Sequence, residues 1–206
     1  MRKLLIGLWL LLPVAAWAYH EGPGQERMAL DATDVELALA KEAAAKGDWP
    51  SAIKHYELAA KELPSLDTPE LVASARRIRL SAAKAKLSAE QLPAARREIK
   101  DLVKELSEDD AVKGDPTQTA MLDEARAAHA NAQYYWTWLM RLEGAARSEW
   151  EPEVEVARQT YRLLAEEADE RGDSKEALSL MEDLEATVKL ARLDLEELQG
   201  LPLPSQ

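Results

Sequence analysis

The chain is 206 residues long, carries a formal charge of −12, and contains neither cysteine nor phenylalanine. That acidity excludes nucleic acid as a partner, because its binders need a basic field to displace counterions, and an anionic membrane surface would repel the chain as well. Without cysteine there is no disulfide, thiol chemistry or cysteine metal site, so the fold must rest on packing.

Residues 1–18 read MRKLLIGLWLLLPVAAWA. Arg2 and Lys3 make a positive start, Leu4 to Trp17 is apolar with Pro13 near its end, and Ala16 and Ala18 are the small residues a signal peptidase inspects. The pattern predicts a signal peptide over 1–18, cut before Tyr19 or, alternatively, after Ala16. The run is shorter than the roughly 20 apolar residues of a spanning helix. No cysteine follows it for lipid attachment. The expected product is exported, periplasmic or extracellular, with no membrane span after cleavage. Residues 19–30 and 199–206 carry Gly, Pro and polar residues and are expected to be flexible ends of a domain over 31–198.

Past residue 30 the text is Ala, Leu, Glu, Lys and Arg with helical spacing, and no alternating run of Val, Ile or Thr predicts a strand. Breaks at Gly47-Asp48, Pro64 to Pro69, Ser88 to Pro93, Asp109 to Pro116, Gly144 to Pro152 and Gly172-Asp173 divide it into about seven helices. Apolar stripes follow in order. Leu71, Ala75, Ile78, Ala82 and Ala85 mark 68–87, and Leu92, Ala95, Ile99, Leu102 and Leu106 mark 92–107. Met121, Ala125, Ala128, Ala132, Tyr135, Leu139 and Leu142 mark 117–143. Val154, Ala157, Tyr161, Leu164 and Ala168 mark 152–171. Ala177, Met181, Leu184, Val188, Ala191, Leu195 and Leu198 mark one last helix. Short links make neighbouring helices antiparallel, so the expected fold is all-α, an irregular array of about seven antiparallel helices.

Residues 35–64 read VELALAKEAAAKGDWPSAIKHYELAAKELP. Leu39 and Ala40 lie on a first helix, Gly47-Asp48 is the turn, Ala52, Tyr56 and Ala59 lie on a second, and Pro64 closes the unit. This resembles a tetratricopeptide repeat, a helix–turn–helix unit of about 34 residues. The departure is Ala43, where the family carries a large aromatic. Residues 161–188 repeat the outline through Tyr161, Leu164, Ala165, Ala168, Gly172-Asp173, Ala177, Met181 and Leu184, without a closing Pro. Ala83, Ala95, Ile99 and Leu102 give a weaker echo with no Gly at the turn. The resemblance covers about half of the chain past the signal and implies a tetratricopeptide-like α-solenoid whose groove binds a protein or peptide. That function is an analogy from fold to role.

No catalytic constellation is legible, and the expectation is a non-enzyme without cofactor or metal. His20, His55 and His129 have none of the spacings of a ligand pair, and His55 is expected to face solvent. Runs such as Glu166-Glu167 and Glu108-Asp109-Asp110 lie on polar faces or in loops. Asp109, Asp110 and Asp115 lack the spaced ligands and glycine of an EF-hand loop.

The stretch AQYYWTWLMRLEG, residues 132–144, holds four of the eleven Trp and Tyr residues (six and five) of the chain. With Tyr135 at the centre of the stripe and about 100° per residue, Leu139 and Leu142 lie within about 40° of it. Tyr134 falls at about −100° and Trp136, His129 and Met140 at about +100° to +140°, so the apolar arc is far wider than the roughly 100° of a surface helix. Tyr135 and Leu139 are therefore expected in the core. For the shoulder residues Tyr134, Trp136, Met140 and His129, with the nearby Arg141, two readings stand: a central helix that packs against the helices before and after it, or the candidate partner-binding surface, because Trp, Tyr, Met and Arg are enriched at interfaces. The role expected is a non-catalytic adaptor or scaffold of the cell envelope. The alternatives are a structural subunit of a homo-oligomer or envelope complex, and a small-ligand-binding protein or enzyme with a pocket at the aromatic helix. Composition sets no oligomeric state.

Overall fold

The computed structural model describes residues 24–65 and 68–198. The predicted signal over 1–18, the adjoining residues 19–23 with His20, and the tail 199–206 lie outside the described residues. Among the described residues there is no strand; seven helices of fourteen residues or more carry the fold. None of them is long and apolar enough to cross a membrane. The chain forms two compact units, Met1–Ala82 and Ala83–Gln206.

In the first unit, helix α1 spans Gln25–Ala45 and α2 spans Trp49–Glu62, while α3, Pro69–Ser88, holds the boundary between the units. Helix α1 starts inside the segment expected to be a flexible end, so residues 25–30 are helical. It ends in Gly47, whose φ of 74° suits a residue without Cβ. There the Asp48 amide donates to the Ala43 carbonyl and the Gly47 amide to the Ala44 carbonyl, which satisfies the last carbonyls of the helix. Asp48 then caps α2 by accepting from the Ser51 amide at 3.2 Å, and Pro50 sits in the first turn, where its missing N–H costs nothing. Ala40, Ala52 and Ala59 are fully buried, which lets the two helices approach closely. Tyr56 fills the space beside them and is hydrogen bonded with Ser81 of α3. Against expectation, His55 is half-buried and its Nδ1 lies 2.7 Å from a Glu36 carboxylate oxygen, joining α2 to α1. Leu39 is exposed.

The second unit contains the end of α3, then α4 (Leu92–Glu108), a 3-10 turn (Val112–Gly114), α5 (Pro116–Leu142), α6 (Arg147–Glu170), α7 (Ser174–Arg192) and the short α8 (Leu195–Leu198). The predicted stripe of α4 is buried in full: Leu92, Ala95, Ile99, Leu102 and Leu106. The acidic loop before α5 serves as caps. Asp115 accepts from the Thr117 and Gln118 amides, Asp109 accepts from the Ala111 amide, and Asp110 pairs with Lys113. The turn seen at Gly47 recurs at Gly144 and Gly172, both with φ of 78°. It recurs also at Glu90, a non-glycine with φ of 60°, where the Gln91 amide donates to the Lys86 carbonyl. Helix α5 packs against α4, α6 and, less extensively, α7, while α6 and α7 pack along each other.

Three boundaries and stripes differ from the sequence reading. Helix α6 begins at Arg147, ahead of Pro152, because the Glu149 carboxylate accepts from the Ala146 amide at 2.9 Å and steadies the first turn. Pro152 lies inside the helix, where it removes the bond to the Ser148 carbonyl and crowds it. The last helix is broken: α7 stops at Arg192, Leu193 is extended, and Asp194 starts α8 by exchanging bonds with Glu197, each carboxylate accepting from the other's amide. On α7 Met181 is 53% exposed, and the buried row runs through Ala177, Leu180, Asp183, Thr187 and Leu190. Two polar residues on that row displaced the apparent stripe. Thr187 is at home there because its hydroxyl donates to the Asp183 carbonyl at 2.8 Å.

Candidate functional site

Helix α5 is the axis of the second unit, and its sides exchange the roles that apolarity assigned to them. The shoulder residue Tyr134 is fully buried, in a cluster with Trp150 and Val154 of α6 and Ala186 and Leu190 of α7. Its hydroxyl has no hydrogen-bond partner, and burial, with the charges of Tyr135 and Asp183, pushes it up to about 12. Met140 packs partly buried against the same cluster. Arg141 is a clip rather than a free cation: its guanidinium donates to the Leu190 and Leu193 carbonyls and lies 4.7 Å from the Trp150 ring centre. Those are terminal carbonyls of α7, so Arg141 explains why that helix can stop where it does.

The opposite shoulder faces α4. Trp136 is half-buried with the Arg96 guanidinium 5.2 Å from its ring centre. Arg96 also donates to Gln133 and pairs with Glu153 of α6, and Gln133 donates to the same Glu153 carboxylate at 2.6 Å. This network is why Gln133 is tolerated in a buried position. His129 lies beside it with Nε2 buried and unpartnered. Burial holds its pKa down to about 4; the Arg96 and Lys100 charges add to the effect, and Glu153 opposes it. The five expected binding residues, Tyr134, Trp136, Met140, Arg141 and His129, thus do not form one surface. Tyr134, Met140 and Arg141 fasten α5 to α6 and α7, while Trp136 and His129 fasten it to α4.

The face expected to be core is buried through Met121, Ala125, Ala128 and Ala132 and opens only at its C-terminal end. Leu139 and Leu142 are 37% and 40% exposed, and Tyr135 is half-buried. Tyr135, Leu139 and the neighbouring Trp138 line a groove of about 740 Å³. Its two walls come from the end of α3 with the start of α4, through Leu87 and Leu92, and from α7, through Leu180 and Asp183. Tyr161 of α6 also borders it; that side chain is buried, its hydroxyl has no partner, and burial, then the Asp183 charge, raise its pKa. The charged residues of the lining are Lys84, Glu90, Glu124, Glu176 and Asp183. Lys84 is spent on Glu124 at 2.8 Å, and Glu176 reaches Arg171 outside the groove at 3.2 Å. The lining is apolar with a few acidic groups. Among the described residues no cluster of three or more His, Cys, Asp or Glu side chains is placed to hold a metal.

The groove residues missed by the sequence reading are Asp183, Leu180, Tyr161 and the α3–α4 wall. No local signal separated Tyr135 and Leu139 from Ala125, Ala128 and Ala132, which lie on the same stripe and are buried. Compared with known proteins, the chain matches no family model, no curated protein and no solved structure.

Proposed function

We propose that this protein is an exported, non-catalytic adaptor of tetratricopeptide-like build, whose groove along α5 receives a protein or peptide partner. The observation that carries the reading is the groove itself. Apolar side chains, Tyr135, Trp138 and Leu139, stand open on the central helix while its polar Gln133 and Thr137 are buried. Such an arrangement leaves a contiguous apolar surface to water, and surfaces of this kind serve binding. The repeat-like reading is supported by one turn recurring at Gly47, Glu90, Gly144 and Gly172 with the same pair of backbone bonds. Export is supported by the basic start, apolar run and small residues of 1–18. Sequencing the N-terminus of protein recovered outside the cytoplasm should give Tyr19 or Trp17, and an intact Met1 would refute export.

Leu139→Glu tests the groove, because Leu139 is exposed and the change should leave the fold intact. Crosslinking in envelope extract should give wild-type adducts that the variant loses at an unchanged melting temperature. Identical adducts from both proteins would refute the groove as the docking site. A second reading, a subunit of a homo-oligomer, is favoured by Leu178 and Met181 of α7, which are 67% and 53% exposed. Light scattering on the mature chain distinguishes them: a stable oligomer broken by Met181→Glu favours the second.

A further inference from the structure

The sequence that follows α8 begins beside the groove. Helix α8 ends at Leu198 and packs against α5. Just before it, Leu193 packs on the cluster that Trp138 and Met140 also join, and Arg141 of α5 holds the Leu190 and Leu193 carbonyls. Trp138 and Leu139 line the groove at that same end of α5. The residues after α8, 199–206, read QGLPLPSQ. At about 3.1 Å per residue, the rise of the extended form that prolines favour, these residues reach about 25 Å. The part of α5 that lines the groove, from Glu124 to Leu139, is about 22 Å long at 1.5 Å per residue.

The chemistry agrees with the reach. QGLPLPSQ holds no charged side chain. In the lining, Lys84 pairs with Glu124, Glu176 pairs with Arg171, and Asp183 has an interaction of its own. A neutral segment disturbs none of these, whereas an acidic one would meet like charge. Leu201 and Leu203 offer apolar side chains to Leu87, Leu92, Leu139 and Leu180. The obstacle to placing a peptide in an apolar trough is its backbone, because each N–H that leaves water needs a partner. Pro202 and Pro204 have no N–H, and proline rings pack on aromatic faces such as that of Trp138. The carbonyls that remain are acceptors, and the buried Tyr161 bordering the groove has a hydroxyl without a hydrogen-bond partner. We propose that Leu201-Pro202-Leu203-Pro204 docks in the groove of its own chain and, resting on the adaptor reading above, competes there with the partner.

Cysteine pairing tests the proposal, because the chain has no cysteine of its own. In the full chain, Leu139→Cys with Leu203→Cys should form an intramolecular disulfide in mild oxidant, seen as faster migration on a non-reducing gel. Leu178→Cys with Leu203→Cys is the control, since Leu178 is 67% exposed on α7 and does not line the groove; that pair should stay mostly reduced. Equal pairing in the two variants overturns the proposal, and so does a disulfide that joins two chains. A second readout uses binding. Leu201→Asp with Leu203→Asp should free the groove, so a synthetic peptide of residues 199–206 should bind that variant about tenfold or more tighter than it binds wild type, where the tethered copy competes. Equal binding to both again overturns the proposal. If the segment fails these tests while Leu139→Glu still abolishes the envelope adducts, the docked segment is refuted and the adaptor reading stands. If the disulfide forms while the Leu139→Glu adducts are unchanged, the adaptor reading is refuted and the docked segment stands.

Discussion

Tyr134 and Leu139 sit on one helix and are both apolar in bulk, yet the first is sealed among α6 and α7 and the second borders an open groove. The difference lies in the neighbours. Tyr134 points to the side where Trp150, Val154 and Leu190 converge. Leu139 points to a face whose flanking helices stand apart, with Leu87 and Leu92 on one wall and Leu180 on the other. Hydrophobicity selects which residues avoid water, but the spacing of the surrounding helices decides which of them succeed.

The contrast breaks most directly by truncation. Tyr134→Ala should cost about 3–5 kcal/mol, as expected for emptying a large buried aromatic site. Leu139→Ala should stay within about 0.5–1 kcal/mol, since little area is lost at an exposed position. Urea denaturation of both variants checks the pair, and equal losses would erase the distinction between the two sides. A milder outcome is expected from Trp136→Ala on the α4-facing shoulder. That residue is half-buried under Arg96, so the loss should be about 1–2 kcal/mol, between the two extremes.

The same shoulder should be sensitive to acid. His129 has a folded pKa of about 4 against 6.5 for an ordinary histidine, so the unfolded chain takes up the proton first. Its stabilisation is complete above pH 6.5 and is lost as pH falls toward 4. Allowing for partial exposure, the loss is about 1–2 kcal/mol, and His129→Leu should remove that part of the pH dependence in melts at neutral and mildly acidic pH. The smallest effect belongs to the groove rim. Glu90 holds a positive φ that suits glycine, so Glu90→Gly should stabilise the chain by about 0.5–1 kcal/mol. A destabilised Glu90→Gly would mean that its side chain contributes more than its backbone conformation costs.

The amino-acid sequence by itself determined that the described chain is helical, where most helices start and stop, and which small residues lie between paired helices. Those features are local. Ala52 and Ala59 repeat at helical spacing, Asp48 and Asp173 cap the helices after their glycines, and the α4 stripe was legible residue by residue because every position on it is apolar. Tertiary structure decided which face of α5 is core. Gln133 and Thr137 are buried on its packed sides, Asn131 is buried at the floor of the groove, and Asp183 and Thr187 lie on the inner row of α7. A search for apolar periodicity passes over polar residues whose burial depends on distant partners, as Gln133 depends on Arg96 and Glu153. Arg141 likewise looked like a charge for a partner until the chain brought the terminal carbonyls of α7 to it. Long-range pairing turns a polar residue into a core residue and leaves an apolar one facing a groove, and neither outcome is encoded within one helix.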